Sequence, residues 1–497
     1  MKHESLNKYK DSFTHYTELR VQENRNNRVQ LTNGDVTGNV ATTESGVSAR
    51  VFKDGNWGFS SNPNITDDSI VSVVKASTEN VQFMNTKDSS RCGYFLPETK
   101  ANYDIDLGTK KDRQNQKYWV DFIREVDAYI EKKFPELLSR NLVLGGLDME
   151  KSLYTSDGSE SYSMTPRALF AMALSVEKDG APVSIMNPWG GLGHLEDKII
   201  QPSDYFSDID ALVEKLKQKA DGVYANAGMK DVILDADLAG ILAHEAIGHT
   251  TEADLVLGGS VAGDFLNQEV ASPLITLIDY ANTYDGETCP VPVYVDDEGT
   301  KSEDVTIIKD GVLKRFMHNK DSARHFETEP TGNARAFEFS DEPLIRMRNT
   351  AFVPGTSSLD DMIASIDDGY YLVKTGNGQA DSTSEFMFAI TMGYEIKNGK
   401  IVKFEGNKKI ISVLEKLFTH KPKNKILGEF GLGFNNKAKL CGIMLLDEGC
   451  FGTFHFGFGS NILLGGINKS DFHLDFVIHA NELSVDGKII NLKHGNN

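Results

Sequence analysis

Apolar and polar residues alternate with two different periods along this chain, and the switches between them mark its elements. "ARVFKDGNWGFSSN" (49–62) alternates on both sides of Asp54-Gly55, which predicts two strands joined by a tight turn. "YWVDFIREVDAYIEKKFPELL" (118–138) and "DYFSDIDALVEKLKQKA" (204–220) space their apolar residues three and four apart, which predicts amphipathic helices. Between these helices, "SESYSMTPRALFAMALSVEKDG" (159–180) reads as paired strands. "VPVYVDDEGTKSEDVTIIKDGVLKRFMH" (291–318) alternates around Glu298-Gly299 and Asp310-Gly311. "GYYLVKTGNGQADSTSEFMFAITMGYEIKNGKIVKFEG" (369–406) predicts two or three strands with Asn398-Gly399 as a tight turn.

The pattern is α+β. It divides into an N-terminal α/β part over 1–225, a strand-rich part with antiparallel sheets over 226–412 that holds a histidine motif, and a C-terminal segment over 413–497. That last segment opens with an expected short helix, "ISVLEKLF" (411–418). A basic linker, "THKPKNK", follows, then glycine-rich apolar strands and a hairpin, "LSVDGKIINL" (483–492).

Composition narrows the function. The chain has 497 residues, 40% hydrophobic and 25% charged, which supplies an ordinary globular core. A net charge of −20 repels nucleic-acid phosphates and anionic lipid, so neither is an expected partner. No apolar run approaches the length of a membrane span, and the N-terminus has no apolar signal core. Four cysteines are too few for a disulfide scaffold, and the expected compartment is the cytoplasm.

The chemistry concentrates in "LAHEAIGHTTEADL" (242–255). Zinc peptidases commonly space two histidines four apart, as H-E-x-x-H; here His244 and His249 are five apart. Five residues of α-helix leave two side chains about 140° apart, against about 40° for four. A helix from about Asp237 to Ile247, capped by Asp235 or Asp237, that unwinds at Gly248 would swing His249 back toward His244. Two neutral imidazoles suit zinc or another divalent transition metal, and Glu245 beside them can take a proton from a metal-bound water.

Other candidates are less concentrated. Asp296, Asp297 and Glu298 read as a turn rather than a cation site. "RMRNT" offers Arg346, Arg348 and Asn349; of these, Arg346 and Asn349 are candidates for holding a peptide carboxylate or backbone. In "FHLDF", His473 and Asp475 share one face of a strand. "TGNGQADST" lacks a P-loop lysine and carries no nucleotide role.

Residues 40–405 resemble the TldD-like, motif-bearing branch of the TldD/PmbA metallopeptidases. The matching stretches are "SGVSARVFKDGNWGFSS", "GILAHEAIGHTTEAD", "VDDEGTKSEDVTIIKDGVL", "TGNARAFEFSDEPLIRMRNTAFVPG", "GNGQADSTSEFMFA" and "YEIKNGKIV". The resemblance implies hydrolysis of peptides or unfolded polypeptides, with His244 and His249 as metal ligands and Glu245 as general base. It also implies a dimer, of identical chains or with a motif-less partner; the alternative is that this chain is itself a non-catalytic subunit of such a complex, bound to a motif-bearing partner.

That family takes a third ligand from a cysteine in a C-G-K-x-G-Q context near the C-terminus, a context absent here. Residues 425–497 resemble instead the end of the AmpS-like metallo-aminopeptidases. Two possibilities follow. His455, or Cys450 as its alternative, closes the His244 site as third ligand, with Cys441 a further thiol. Otherwise Glu429, His455, His473 and Asp475 form a separate site with aminopeptidase-like chemistry.

Overall fold

The computed structural model describes residues 5–404 except 89, 91–92, 224, 226–229 and 381–385, with side chains through 402 except 375–389; beyond 404 it describes only the backbone of short strand segments. The fold is mixed α+β with antiparallel sheets. Its first sheet is built from β1 (Tyr16–Thr32), β2 (Asp35–Lys53), β3 (Asn56–Asn62), β4 (Asn102–Asp106), β5 (Ser139–Thr155), β6 (Glu160–Lys178) and β7 (Ala181–Leu192). The strands lie in the order β3-β2-β1-β5-β6-β4, with β7 also paired to β6. The β2–β3 turn falls at Asp54 and Gly55, with φ of 49° and 83°, the left-handed pair that a two-residue hairpin turn demands.

Helices α1 (Asp67–Lys87), α2 (Gln116–Lys133) and α4 (Phe206–Ala220) cover one face of this sheet; α3 (Leu195–Lys198) is a single turn. Leu19 and Val21 of β1 pack with Ile70 and Val73 of α1. Phe170, Met172 and Leu174 of β6 pack with Ile123 of α2 and with Leu212 and Val213 of α4. α2 is capped by Asn115, whose side chain accepts from the Tyr118 amide, and it stops at Phe134, before Pro135.

The expected strand pair over 159–180 is one strand. β6 runs unbroken for 19 residues and turns only at Asp179-Gly180 into β7. Pro166 does not interrupt it, contrary to the usual exclusion of proline from paired strands.

The second part begins with β8 (Asp231–Leu234), α5 (Ala236–Leu242), α6 (Ala253–Leu257), β9 (Leu277–Tyr280) and a small hairpin of β10 (Thr283–Tyr284) and β11 (Glu287–Thr288). It continues with β12 (Val305–Lys309), β13 (Val312–Leu313), α7 (Lys320–His325), β14 (Ala334–Arg335), β15 (Leu344–Ile345), β16 (Asn349–Phe352), α8 (Leu359–Ala364), β17 (Asp368–Ala380) and β18 (Phe386–Lys397). β9, β12, β13 and β16 form one sheet; β17 pairs antiparallel with β18 and parallel with β8. "VPVYV" makes only an isolated bridge, Val295 to Lys301, instead of the expected strand. Residues 291–297 instead line a cavity one after another. Residues 417–420 pair with β18 where "ISVLEKLF" predicts a helix; a short apolar run serves either element, and β18 offers an edge. The hairpin at 483–490 is present as expected.

The two parts meet across a polar interface. The face of the first sheet turned away from its helices carries Glu18, Arg20, Gln22 and Asn24, all buried. Arg20 donates to the carbonyl of Asp341 at 2.7 Å, and Asn24 to that of Phe337 at 2.8 Å. Arg50 bridges Glu18, at 2.8 Å, to Glu298. Lys151 reaches Asp297 at 2.7 Å, and Lys320 reaches Asp157 at 2.6 Å. The acidic cluster 296–298 is thus a turn, as expected: Asp296 accepts from the amides of Glu298 and Thr300, while its neighbours bind basic side chains of the first part.

Candidate metal centre

β8 ends at Leu234, and the Asp235 carboxylate accepts the Ala236 amide at 2.8 Å, capping α5. From Ala243 to Gly248 the helix widens into a π-turn, in which the His249 amide donates to the His244 carbonyl. The residues that carry the two imidazoles are therefore the same two that close the five-residue ring. A π-turn places i and i+5 over one another, as an α-turn does i and i+4. This is what the extra residue does: the helix absorbs it by widening and keeps both histidines on one face.

Gly248 was expected to unwind the helix, and it does not: its backbone is right-handed, with φ −54° and ψ −58°. Glycine is needed there for space, because a Cβ would overlap the Met347 thioether between β15 and β16. The carbonyls loosened by the wide turn are taken up by the two threonines that follow. Thr250 Oγ1 donates to Ile247 at 3.0 Å, and Thr251 Oγ1 donates to Ile247 at 2.8 Å and Gly248 at 3.2 Å. Gly248→Ala is expected to lower stability by about 1–3 kcal/mol through overpacking, and Met347→Ala to recover most of it in the double variant. Denaturant midpoints of the three variants check this; additive losses in the double variant would refute the contact.

The imidazole rings of His244 and His249 lie 4.7 Å apart, centre to centre. One ligand atom each from His244, Glu245 and His249 fall within 4.8 Å of one another. Burial, with the neighbouring His249, pushes the pKa of His244 down to about 4, so its imidazole is neutral, the form that binds a cation. Burial also acts to lower that of His249, but the hydrogen bond and charge of Glu252 outweigh it and raise the value. Burial raises the Glu245 carboxyl. A divalent cation would reverse the last two shifts by its own charge. Donor types and spacing fit a metal ion held by two imidazoles, of which His244 is already neutral and His249 would release its proton as the ion binds.

His249 Nδ1 lies 3.3 Å from Glu252 Oε2, and Glu252 is buried. This carboxylate fixes the ring and its tautomer, leaving Nε2 for the ion. Arg346 lies close enough for its charge to act on His249. Asn349 is committed elsewhere: its amide donates to the carbonyls of Tyr280 and Val291, both at 2.9 Å, and accepts the Val291 amide. It does not line the site, because both ends of its side chain are used to join β16 to the loop at 291. Arg348 pairs with Asp279 at 2.9 Å, both fully buried. Glu429, Cys441, His455, His473 and Asp475 lie outside the described residues, as does the side chain of Cys450.

His244, His249 and Glu252 open onto a cavity of about 600 Å³ between the two parts of the chain. Ser161, Ser163, Thr165 and Arg167 line it from alternate positions of β6, and Lys151 lines it from β5. Arg335, Arg346 and Met347 line it from the second part.

Two family models match: the PmbA/TldA metallopeptidase C-terminal domain over residues 227–420, and PmbA/TldA metallopeptidase domain 1 over 17–81. Together they span more than half of the chain, and the first contains the whole π-turn. The chain belongs to the TldD/PmbA metallopeptidase family. Among its relatives, the zinc metalloprotease TldD homolog of Saccharolobus solfataricus is 27% identical over 361 residues, 72% of this chain and 77% of that one. The metalloprotease TldD homolog of Buchnera aphidicola subsp. Acyrthosiphon pisum is 40% identical over 180 residues, 36% of this chain and 37% of that one. The solved structure of TldE from Thermococcus kodakarensis superposes with a TM-score of 0.62 at 17% identity, covering 83% of this chain and 90% of that one. The fold is therefore that of TldD/TldE proteins.

Two site residues of this TldD/PmbA chain escaped the sequence reading. Glu252 was visible as a carboxylate three residues beyond His249, one helical turn away. Arg167 was visible as the last of four alternating polar positions in β6. Glu252→Gln is expected to weaken metal affinity about 10–100-fold while leaving the fold intact. A competition titration against a chelator measures this, and an unchanged affinity would remove Glu252 from the site.

Proposed function

We propose that this TldD/PmbA chain is a metal-dependent peptidase acting on extended peptides or unfolded polypeptides, with zinc or another divalent transition metal at His244 and His249 and Glu245 as general base. The observation that carries this reading is the convergence of two imidazoles and the Glu245 carboxylate at one π-turn, with both imidazoles opening onto a cavity. The ion, when bound, supplies a Lewis acid to the scissile carbonyl and to water. His244 and His249 hold it, and Glu252 keeps the His249 ring in its binding orientation. Glu245 accepts a proton from the attacking water as its oxygen bonds to the carbonyl carbon. It then delivers that proton to the departing amine as the C–N bond breaks.

An extended substrate has an edge to pair with. β4 is the last strand of the first sheet, and its Tyr103 and Ile105 line the cavity. Two histidines hold zinc poorly alone, and catalytic sites use three protein ligands with one open position. We assign the third ligand to the segment beyond 425, with His455 ahead of Cys450. The working unit proposed is a cytoplasmic dimer, of two such chains or of one with a motif-less partner.

Elemental analysis tests the site directly. One metal equivalent per chain is expected, lost with His244→Ala and weakened to a similar degree by His455→Ala, while Cys450→Ala does little. If the purified chain holds no metal and hydrolyses no unfolded protein after reconstitution, the reading of a non-catalytic subunit replaces this one. A second equivalent removed by His455→Ala would indicate a separate site with Glu429, His473 and Asp475.

A further inference from the structure

Four cations line the cavity, Lys151, Arg167, Arg335 and Arg346, and two of them bury an Nε without an acceptor. Arg167 projects from β6 and Arg335 from β14, and both line the cavity with His244 and His249. Among the described residues, Arg167 makes no side-chain hydrogen bond or ion pair, and its Nε is buried without an acceptor. Arg335 donates to the Met347 carbonyl, and its Nε is likewise buried without an acceptor. The two guanidinium charges act on one another, and burial lowers the pKa of both.

The nearby carboxylates are engaged elsewhere. Asp297 holds Lys151 and Arg20, and Asp279 holds Arg348. Asp296 accepts backbone amides of its own turn and of Ala334, and Asp341 accepts the Glu338 amide. Glu342 lies 3.9 Å from Arg50, and Glu252 is turned to His249. Two like charges facing one cavity repel each other and favour an anion between them. A guanidinium presents its donors as a planar fork that matches a carboxylate. The place is also close to the metal turn: Arg335 donates to the backbone of Met347, whose side chain packs on Gly248, next to His249.

We propose that Arg167 and Arg335 form a carboxylate-binding subsite of the cavity, which receives an acidic group of the peptide substrate. That group is a terminal α-carboxylate or an Asp or Glu side chain. The subsite rests on the peptidase reading and names its substrate class: peptides are selected for an acidic group near the bond cleaved.

Binding tests this apart from hydrolysis. Three fluorescent hexapeptides of one uncharged sequence are titrated by anisotropy into the full chain carrying Glu245→Gln. One has a free C-terminal carboxylate, one a C-terminal amide, and one a C-terminal amide with a single Glu. At least one acidic peptide is expected to bind about tenfold or more tighter than the neutral one, as a charge-assisted hydrogen bond implies. Which acidic peptide it is identifies the source of the carboxylate. Arg167→Gln and Arg335→Gln should each weaken the acidic peptide about tenfold more than the neutral one, while Arg→Lys keeps part of the preference. Equal binding of all three peptides, or equal weakening of all three by the arginine variants, overturns the subsite. If the preference is present but the unsubstituted, metal-loaded chain cleaves none of the three, the peptidase reading fails and the subsite stands.

Discussion

Glu245→Gln keeps the metal and loses turnover by a factor of about 10² to 10⁴, the range for removing a general base. The reasoning is local. The π-turn is closed by backbone, from the His249 amide to the His244 carbonyl, so the substitution leaves the ligand geometry unchanged. The amide side chain is nearly isosteric, but it cannot take a proton from water. Metal content and hydrolysis of an unfolded protein are measured on the same preparation. Full turnover with metal still bound would eliminate Glu245 as base; loss of both would show that its carboxylate is itself a ligand, which its distance to the imidazoles also permits.

Arg348→Met is expected to destabilise the chain by about 3–5 kcal/mol, because it leaves a buried carboxylate without its cation. Asp279 and Arg348 are both fully buried. Asp279 accepts from Asn333, from the amides of Arg348 and Asn349 and from Thr350, which ties β9 to β16. The guanidinium donates onward to the carbonyls of Thr331 at 3.2 Å and Glu303 at 2.7 Å. The pair therefore fastens the β-sheet against which the metal turn packs. A denaturant series on the full chain reads the loss. A midpoint within experimental error of the parent would mean that water or rearrangement compensates the charge.

Legibility in the sequence followed the range of the interaction. The Asp54-Gly55 and Asn398-Gly399 turns were readable because their positive φ values are a property of those residues. α2 and α4 were readable because one face of each is apolar along its whole length. In β6, the extended character of 159–180 was read correctly, but its continuity as one strand was not. Pro166 invites a break between two strands, yet Ser161, Ser163, Thr165 and Arg167 line one cavity from the same unbroken strand. The convergence of His244, Glu245 and His249 was legible from residue type and spacing. How the spacing is met was not: unwinding at Gly248 and widening into a π-turn give the same string. Met347, nearly 100 positions away, decides why that residue is glycine. Asn349 failed as a substrate contact for the same reason, since its partners at Tyr280 and Val291 are remote in sequence.

The division of the cavity between distant parts of the chain bears on when activity can arise during synthesis. Its walls come from residues 103–167 on one side and 244–347 on the other, joined through Lys151–Asp297, Arg20–Asp297 and Arg50–Glu298. A ribosome-bound chain that has made β1–β7 but not the turn at 296 has a folded sheet with a bare polar face and no enclosed cleft. Closure requires contacts across well over a hundred residues, which form late. Whatever chemistry the cleft supports is therefore withheld until the chain beyond residue 347 has been made and folded against the first sheet.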